Sequence, residues 1–327
     1  MRAIRVKAAG GPDMLELCEL PEPNPASHEV LIEVHASALN RADLLQRRGL
    51  YPPPPGESEL LGLECAGIVR AVGRETSRFQ VGARVMALLG GGGYAEAVRV
   101  HENLVMPIPE RLSFQAAAAV PEAFLTAYEA LFAAAELAPG ERALIHAAGS
   151  GVGLAALQVA RELGAEVSCT VRSPAKAERL KTLGAARVVC TGSDDFAAVV
   201  ERESGGRGVD VIVDLVGAAY AAQNQRILAP AGRWVVVGLL GGAKASIDFG
   251  SLLMKRQTLR GIVMRSRPLP EKTAIVRGFL NDLWHWLDAG RLEPVVDRVF
   301  PLAEAAAAHA HLEANASFGK VVLSVRD

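Results

Sequence analysis

The stretch "HAAGSGVG", His146–Gly153, decides how this chain is read. It lies between an apolar run, "ERALI" (141–145), and a helix-like run, "LAALQVARELGAEV" (154–167). Glycines stand at 149, 151 and 153, each two apart, whereas dinucleotide-binding loops follow G-x-G-x-x-G. With the last glycine of that pattern placed on Gly153, its first two positions fall on Ala148 and Ser150. Both are small, so the backbone can still approach a pyrophosphate, and the amides and positive dipole end of the next helix can bind it. Ser150, Gly151, Val152 and Gly153 are therefore candidate cofactor-binding residues, with the Ser150 hydroxyl as an added donor. An ordinary strand-to-helix turn is the other reading of these eight residues taken alone.

The next discriminating position is the end of the second strand, about twenty residues on, where an acidic residue binds the ribose 2′-hydroxyl of NAD. Here the chain reads "CTVRSPAK" (169–176), with Arg172, Ser173 and Lys176 and no acid. Ser173 suits an N-cap and Pro174 the first helical residue. Lys176 then takes the third helical position, where a capping box wants Glu. A cation in the first turn opposes the helix dipole at about 0.3–1 kcal/mol, and Arg172 makes this worse. A 2′-phosphate carries about −1.5 to −2 charges, by analogy with phosphoserine. It would meet both cations, the hydroxyl and the helix amides at once. Two merely solvated cations are the alternative; the trio predicts NADPH over NADH.

Around this loop, strand and helix alternate. Apolar strands at about 142–147, 166–171, 187–190, 209–216, 233–238 and 258–264 are separated by helical stretches. Runs such as "VDVIVDLVG" and "RWVVVG" are apolar throughout, as strands covered on both faces must be. The alternation predicts a doubly wound parallel sheet of six strands. The first third is different: "RAIRVKA", "LELCEL", "EVLIEVHASALN", "CAGIVRAVG", "ARVMALL" and "YAEAVRV" are short β-type runs between turn residues, broken by one helical patch, "RADLLQRRG". From residue 113 the texture turns helical, with Ser113 as N-cap and Pro121 separating two helices. After 265 come a long helix, "EKTAIVRGFLNDLWHWLDAG", a strand, an Ala-rich helix and a last strand. With six strands already placed, this tail is expected to return to the first domain. The expected division is 1–121 with 266–327, and 122–265.

The 327 residues are 50% hydrophobic and 22% charged, as in a soluble globular protein, and their number fits two domains of about 100–200 residues. With 35 basic and 36 acidic side chains the net charge is −1, which gives nucleic acid or an anionic membrane no long-range attraction. There is no apolar run of about 18 residues and no apolar block near the start, so a cytoplasmic protein is expected. Cysteines 18, 65, 169 and 190 are scattered without a C-x-x-C pair, which argues against a disulfide framework or a cysteine-rich zinc lobe.

A catalytic zinc needs Cys, His and carboxylate ligands converging from several places. His35 lies in an alternating strand, His101 on a turn, Cys65 far from any histidine, and His285, His309 and His311 on C-terminal helices, so no metal is expected. Without one, the accessible chemistry is hydride transfer to a quinone or to the β-carbon of an enone, whose oxyanion is stabilised by conjugation. The protein then supplies orientation, a hydrogen-bond donor and a dry slot. Asn40, ending a strand, and Tyr51, before the stiff "PPPP", are candidate polar groups for this; a turn-forming Asn and a packing Tyr are the plain alternatives.

Taken together, "ALNRADLLQRRGLYPPPPGES" (38–58), "LGLECAGIV" (61–69), "VPEAFLTAYEAL" (120–131), "AAGSGVG" (147–153), "VDRVFPLAEA" (296–305) and "GKVVL" (319–323) carry a resemblance over essentially the whole chain. It resembles the zinc-free quinone oxidoreductase branch of the medium-chain dehydrogenase/reductases, of the p53-inducible quinone oxidoreductase type. That resemblance implies an α/β protein with a GroES-like β-barrel domain, a Rossmann domain and a cleft between them. It also implies NADPH-dependent one- or two-electron quinone reduction, and a homodimer joined through the last Rossmann strand, here about 258–264. Asn40 and Tyr51 are implied at the nicotinamide and quinone site, and Asn40 and Thr126 at the cofactor. Gly217, Gly238, Leu239, Leu240 and Arg265 are implied at the nicotinamide half and its closing loop. Zinc-using relatives carry G-H-E where this chain has Gly62-Leu63-Glu64. Many relatives place a Tyr after the third strand, beside the adenosine; here that position offers Thr191.

Two further readings stay open on the sequence: an enone or enoyl-thioester reductase of the same fold, and an NADPH-binding structural or sensor protein without turnover.

Overall fold

Near-continuous apolar runs and alternating ones build two different sheets. The structure, a computed structural model, describes residues 1–326, and these divide into two units: Met1–Leu125 with the stretch from Met264 onward, and Thr126–Val263.

In the first unit β1 (Arg2–Val6) and β2 (Leu15–Glu19) form an antiparallel ribbon, and β3 (Glu29–Ala38) anchors a larger sheet. After helix α1 (Arg41–Arg47) come β4 (Glu64–Val72), β5 (Arg84–Leu88), β6 (Ala97–His101) and β7 (Val105–Pro107). The first half of β3 pairs with β6, and Val30 to Ser37 with β4, through register shifts at Leu31/Ile32 and Val34/Ala36. Such bulges bend and twist a strand, which lets the sheet wrap. Helix α2 (Phe114–Ala118) is capped by Ser113, whose Oγ accepts from the Ala116 N–H at 3.2 Å, and Pro121 opens α3 (Pro121–Tyr128).

The second unit alternates without exception: β8 (Arg142–Ile145), α4 (Gly151–Glu162), β9 (Glu166–Val171), α5 (Pro174–Thr182), β10 (Arg187–Cys190), α6 (Phe196–Glu203), β11 (Val209–Asp214), α7 (Ala221–Ile227), β12 (Leu228–Val236), α8 (Phe249–Met254) and β13 (Thr258–Gly261). The six strands are parallel, in the order β10-β9-β8-β11-β12-β13. This is the expected doubly wound Rossmann sheet, and the strand order reverses between β8 and β11. Leu144, Ile212, Phe196 and Trp234 pack in one apolar core beneath it. Strand β12 begins five residues before the expected start at 233 because Leu228 already pairs with Val209; a bulge containing Ala231, at φ +58°, follows, and the register resumes with Arg233 opposite Val211.

The remainder of the chain returns to the first unit as α9 (Leu269–Asp282), α10 (Trp284–Asp288), β14 (Val296–Pro301), α11 (Ala305–Glu313) and β15 (Lys320–Ser324). The single long helix expected over 271–290 is therefore two. The break falls at Leu283, fully buried and with its backbone at φ −118°, where burying this side chain outweighs an ideal helical turn. Strand β15 pairs antiparallel with the end of β3, Val322 opposite Ala38, which sets Lys320 beside the residues that follow β3.

Candidate functional site

In a doubly wound sheet, ligands bind outside the carboxyl ends of the strands, where the order reverses. The loop 146–150 leaves β8 at that point. Ala147 takes the left-handed conformation, φ +47°, and turns the chain into α4. Ser150 caps α4, its Oγ accepting from the Gly153 N–H at 3.1 Å. This leaves the hydroxyl proton free to donate, and it takes the Gly153 amide out of the set of free donors. A Cβ on Gly153 would lie 2.6 Å from the Ala148 Cα, so glycine is required there for close packing of helix on loop. Gly151 and Val152 thus present the open amides of the first turn.

Behind the loop lies a buried polar chain that no local sequence signal marks. His146 Nδ1 sits 2.8 Å from Thr170 Oγ1, at the end of β9, and Nε2 sits 2.7 Å from Asn224 Oδ1. Asn224 donates to Asp214 Oδ2 at 3.1 Å, as does Trp234 Nε1 at 2.9 Å, while Asp214 Oδ1 accepts from the Val216 and Gly217 amides. Burial lowers the His146 pKa, partly opposed by the Asp214 charge. Neutral His146 therefore donates through Nε2 and accepts at Nδ1, and every polar atom in the chain is matched. The network ties together the ends of β8, β9 and β11 and the turn that carries Gly217.

The second-strand trio stands at the same edge. Ser173 is the N-cap of α5 by position, yet its side chain makes no cap hydrogen bond, contrary to the usual use of such a serine. Lys176 is partly buried in the first turn, and Arg172 is exposed at the strand end. Gly238, Leu239 and Leu240 follow β12, the two leucines about half exposed. Thr126 is buried on α3. Thr191, in place of a tyrosine, accepts a 2.9 Å hydrogen bond from the Tyr220 hydroxyl, so a phenol reaches the end of β10 from another element.

In the first unit, Asn40 begins α1 directly after β3, and its amide is fully engaged. Nδ2 donates to Glu64 Oε1 at 2.8 Å, and Oδ1 accepts from Lys320 Nζ at 2.6 Å. Lys320 also donates to the Leu39 carbonyl at 2.7 Å and pairs with Glu64 at 2.6 Å; neither charged side chain is more than 6% exposed. Glu64 Oε2 accepts from the Glu122 N–H at 2.8 Å. Gly62, at φ +100°, can only be glycine, and its N–H donates to Asp43 Oδ1 at 3.1 Å. Burial raises the Asp43 pKa to about 6 against these amide bonds. Tyr51 and Arg265 form a second group. The guanidinium lies over the Tyr51 ring, 5.4 Å from its centre, and donates to the Tyr51 carbonyl at 3.3 Å and the Gly90 carbonyl at 2.8 Å. Arg265 Nη2 is buried without a partner, and the Tyr51 hydroxyl also has none among the described residues.

Two family models match the chain, "Alcohol dehydrogenase GroES-like domain" over residues 26–110 and "Zinc-binding dehydrogenase" over residues 151–278. The quinone oxidoreductase of Rattus norvegicus is 33% identical over 99% of this chain and 97% of its own length. The chain belongs to the quinone oxidoreductase branch of the medium-chain dehydrogenase/reductases. Among solved structures of this superfamily's fold, the Escherichia coli quinone oxidoreductase complexed with NADPH superposes with a TM-score of 0.87 at 30% identity, covering 99% of this chain and 100% of that one. CurK enoyl reductase superposes with a TM-score of 0.87 at 31% identity, over 99% and 98%. A much longer relative, one of the polypeptides of the phenolphthiocerol/phthiocerol polyketide synthase of Mycobacterium tuberculosis, is 33% identical over 98% of this chain, which spans 15% of its length. Although one matching model is described as zinc-binding, Leu63 is fully buried between Gly62 and Glu64, and no group of three or more His, Cys, Asp or Glu among the described residues is placed to hold a metal.

Proposed function

We propose that the chain is an NADPH-dependent, zinc-independent oxidoreductase that reduces quinones. The observation that carries this reading is the end of β9, where Arg172, Ser173 and Lys176 stand in place of an acid and the Ser173 hydroxyl is not used to cap its own helix. A 2′-phosphate there gains charge-assisted hydrogen bonds that a 2′-hydroxyl does not. The α4 loop fits a pyrophosphate, since Ser150 and the amides of Gly151 and Val152 face the point where the strand order reverses. Thr126, Gly217, Gly238, Leu239, Leu240 and Arg265 are the residues assigned to the nicotinamide half. When bound, NADPH supplies a hydride; the chain's own contribution is to orient the acceptor and to offer donors to the oxygen that gains charge. Tyr51, with an unpartnered hydroxyl, is the donor this reading favours. Asn40 acts by holding the Glu64–Lys320 pair, because both ends of its amide are already occupied.

The similarity to quinone oxidoreductases supports quinones as acceptors, and the similarity to CurK enoyl reductase favours enoyl thioesters as a second reading. NADPH oxidation against 1,2-naphthoquinone, 1,4-benzoquinone, an alkenal and crotonyl-CoA separates them: turnover of the last two alone sinks the quinone reading. Lys176→Ala is expected to raise the KM for NADPH about 10-fold or more while leaving that for NADH in place, the loss of one charged hydrogen bond being about 1.5–3 kcal/mol. Equal Michaelis constants for the two cofactors in the unaltered protein contradict the assignment.

The same reading includes a homodimer through β13. This strand is the open edge of the sheet with all four residues exposed, and Phe249, Leu253 and Met254 of α8 are each at least 75% exposed. An unpaired edge beside an apolar patch is a ready template for a second copy. Sedimentation is expected to give a dimer that Leu253→Glu dissociates; a monomer before substitution refutes it.

A further inference from the structure

The first unit holds one carboxyl group that its own network leaves over. Glu122 stands in the first turn of α3, and its backbone N–H is bonded to Glu64. Its side chain is partly buried and has no hydrogen-bond partner among the described residues. Every other acid of this cluster is bonded: Glu64 to Lys320 and Asn40, Asp43 to the amides of Asn40 and Gly62 and to the Tyr94 hydroxyl. Its backbone lies one hydrogen bond from the carboxylate that holds Asn40, the residue assigned to the nicotinamide and acceptor site.

We propose that Glu122 is the carboxylic acid that delivers the proton completing reduction of the acceptor. This rests on the reductase reading above and goes beyond it by assigning the proton. In the step, the hydride of the reduced nicotinamide adds to the acceptor and places two electrons and a negative charge on it. The O–H bond of Glu122 then breaks, its electron pair stays on the carboxylate, and the proton goes to the hydroquinone oxygen or to the α-carbon of the enolate. Water returns the proton to Glu122.

The surroundings keep the acid loaded. Burial raises its pKa to about 8, and the charge of Glu64 adds to this, with Asp43 acting in the same direction and Lys320 and Lys272 opposing. The Glu64 charge disfavours a second one on Glu122, and Lys320 already serves Glu64. The consequence falls on substrate class. A hydroquinone anion takes its proton from water without help, whereas protonation of an enolate carbon is slow, so a resident acid matters most for enones.

Glu122→Gln keeps shape and removes the proton; Glu122→Asp keeps an acid on a shorter arm. In the cofactor-free protein, infrared difference spectra between about pH 6 and about pH 9 should show a protonated carboxyl band that titrates near the stated value and is missing from the Gln variant. With an alkenal, kcat/KM should fall as pH rises through that value. The Gln variant should lose about 10²–10⁴-fold together with this limb, and the Asp variant should retain the limb at a reduced rate. With a quinone the loss should be much smaller. An absent band, or an unchanged pH profile in the Gln variant, overturns the assignment and leaves the reductase reading intact. A protein that shows the band yet reduces neither acceptor overturns both.

Discussion

The two units each bury a polar network, and the networks are built on opposite terms. In the second unit, His146, Asn224, Asp214, Thr170 and Trp234 match donor to acceptor around one carboxylate, and nothing is left over. In the first, Lys320, Glu64 and Asn40 form a charged centre joined to the Glu122 backbone, and the Glu122 carboxyl and the Tyr51 hydroxyl have no partners among the described residues. A closed network costs little to bury and fixes backbone geometry, which is what the pyrophosphate site proposed for this loop needs. An open one keeps groups whose hydrogen bonds are still to be made, which is what chemistry needs.

The comparison breaks first at Lys320. Lys320→Met leaves Glu64 charged and buried, and denaturant unfolding should show a loss of about 3–5 kcal/mol. Adding Glu64→Met should recover most of it, because replacing both partners removes the orphan charge. Asn224→Leu strikes the closed network and leaves the His146 Nε2–H unbonded, so thermal unfolding should report about 1–3 kcal/mol. If the two single variants cost the same, the contrast between charged and neutral networks is wrong.

A further test is in pH, where the units should diverge on the alkaline side. His146 is held below its ordinary value by burial, so the folded state binds fewer protons than the unfolded one, and stability is lost as pH falls below about 6.5. Glu122 is held above its ordinary value, so the folded state binds more protons, and stability is lost as pH rises from about 4.3 toward 8. Hydrogen exchange resolved by residue should show both units opening on the acid side, the second through His146 and the first through His309, and the first unit alone opening on the alkaline side; Glu122→Gln should reduce that alkaline trend and leave the acid side unchanged.

Much of the second unit is legible in sequence because its signals are local. "VDVIVDLVG" is apolar throughout because β11 is buried on both faces, and small residues around Ser150 and Gly153 mark the loop by themselves. The carrier of the Ser150–Gly153 contact is four residues of chain. Ser113 and Pro121 likewise announce their helices within a single turn. What escapes is whatever depends on distant partners. Nothing in "GKVVL" says that Lys320 will meet Asn40, 280 positions earlier, nor does "VPEAF" show that Glu122 will lie over Glu64. Strand β7 escapes as well, since three residues carry no readable alternation. A histidine on a C-terminal helix invites reading as a metal ligand or a solvated face. His309 instead packs against Tyr94 and Arg47, its pKa lowered to about 3 by burial and by the arginine.

The placement of Lys320 also orders events during synthesis. Asn40 and Glu64 leave the ribosome early, followed by the whole second unit, and the cation that neutralises Glu64 arrives 256 residues after it on β15. Until then the first unit has β1 to β7 but neither β15 nor a counter-ion for Glu64, and burying Glu64 alone is strongly opposed. The second unit, continuous in sequence and internally matched, has no such wait and is set to fold first, while the first unit still lacks the charge that completes it.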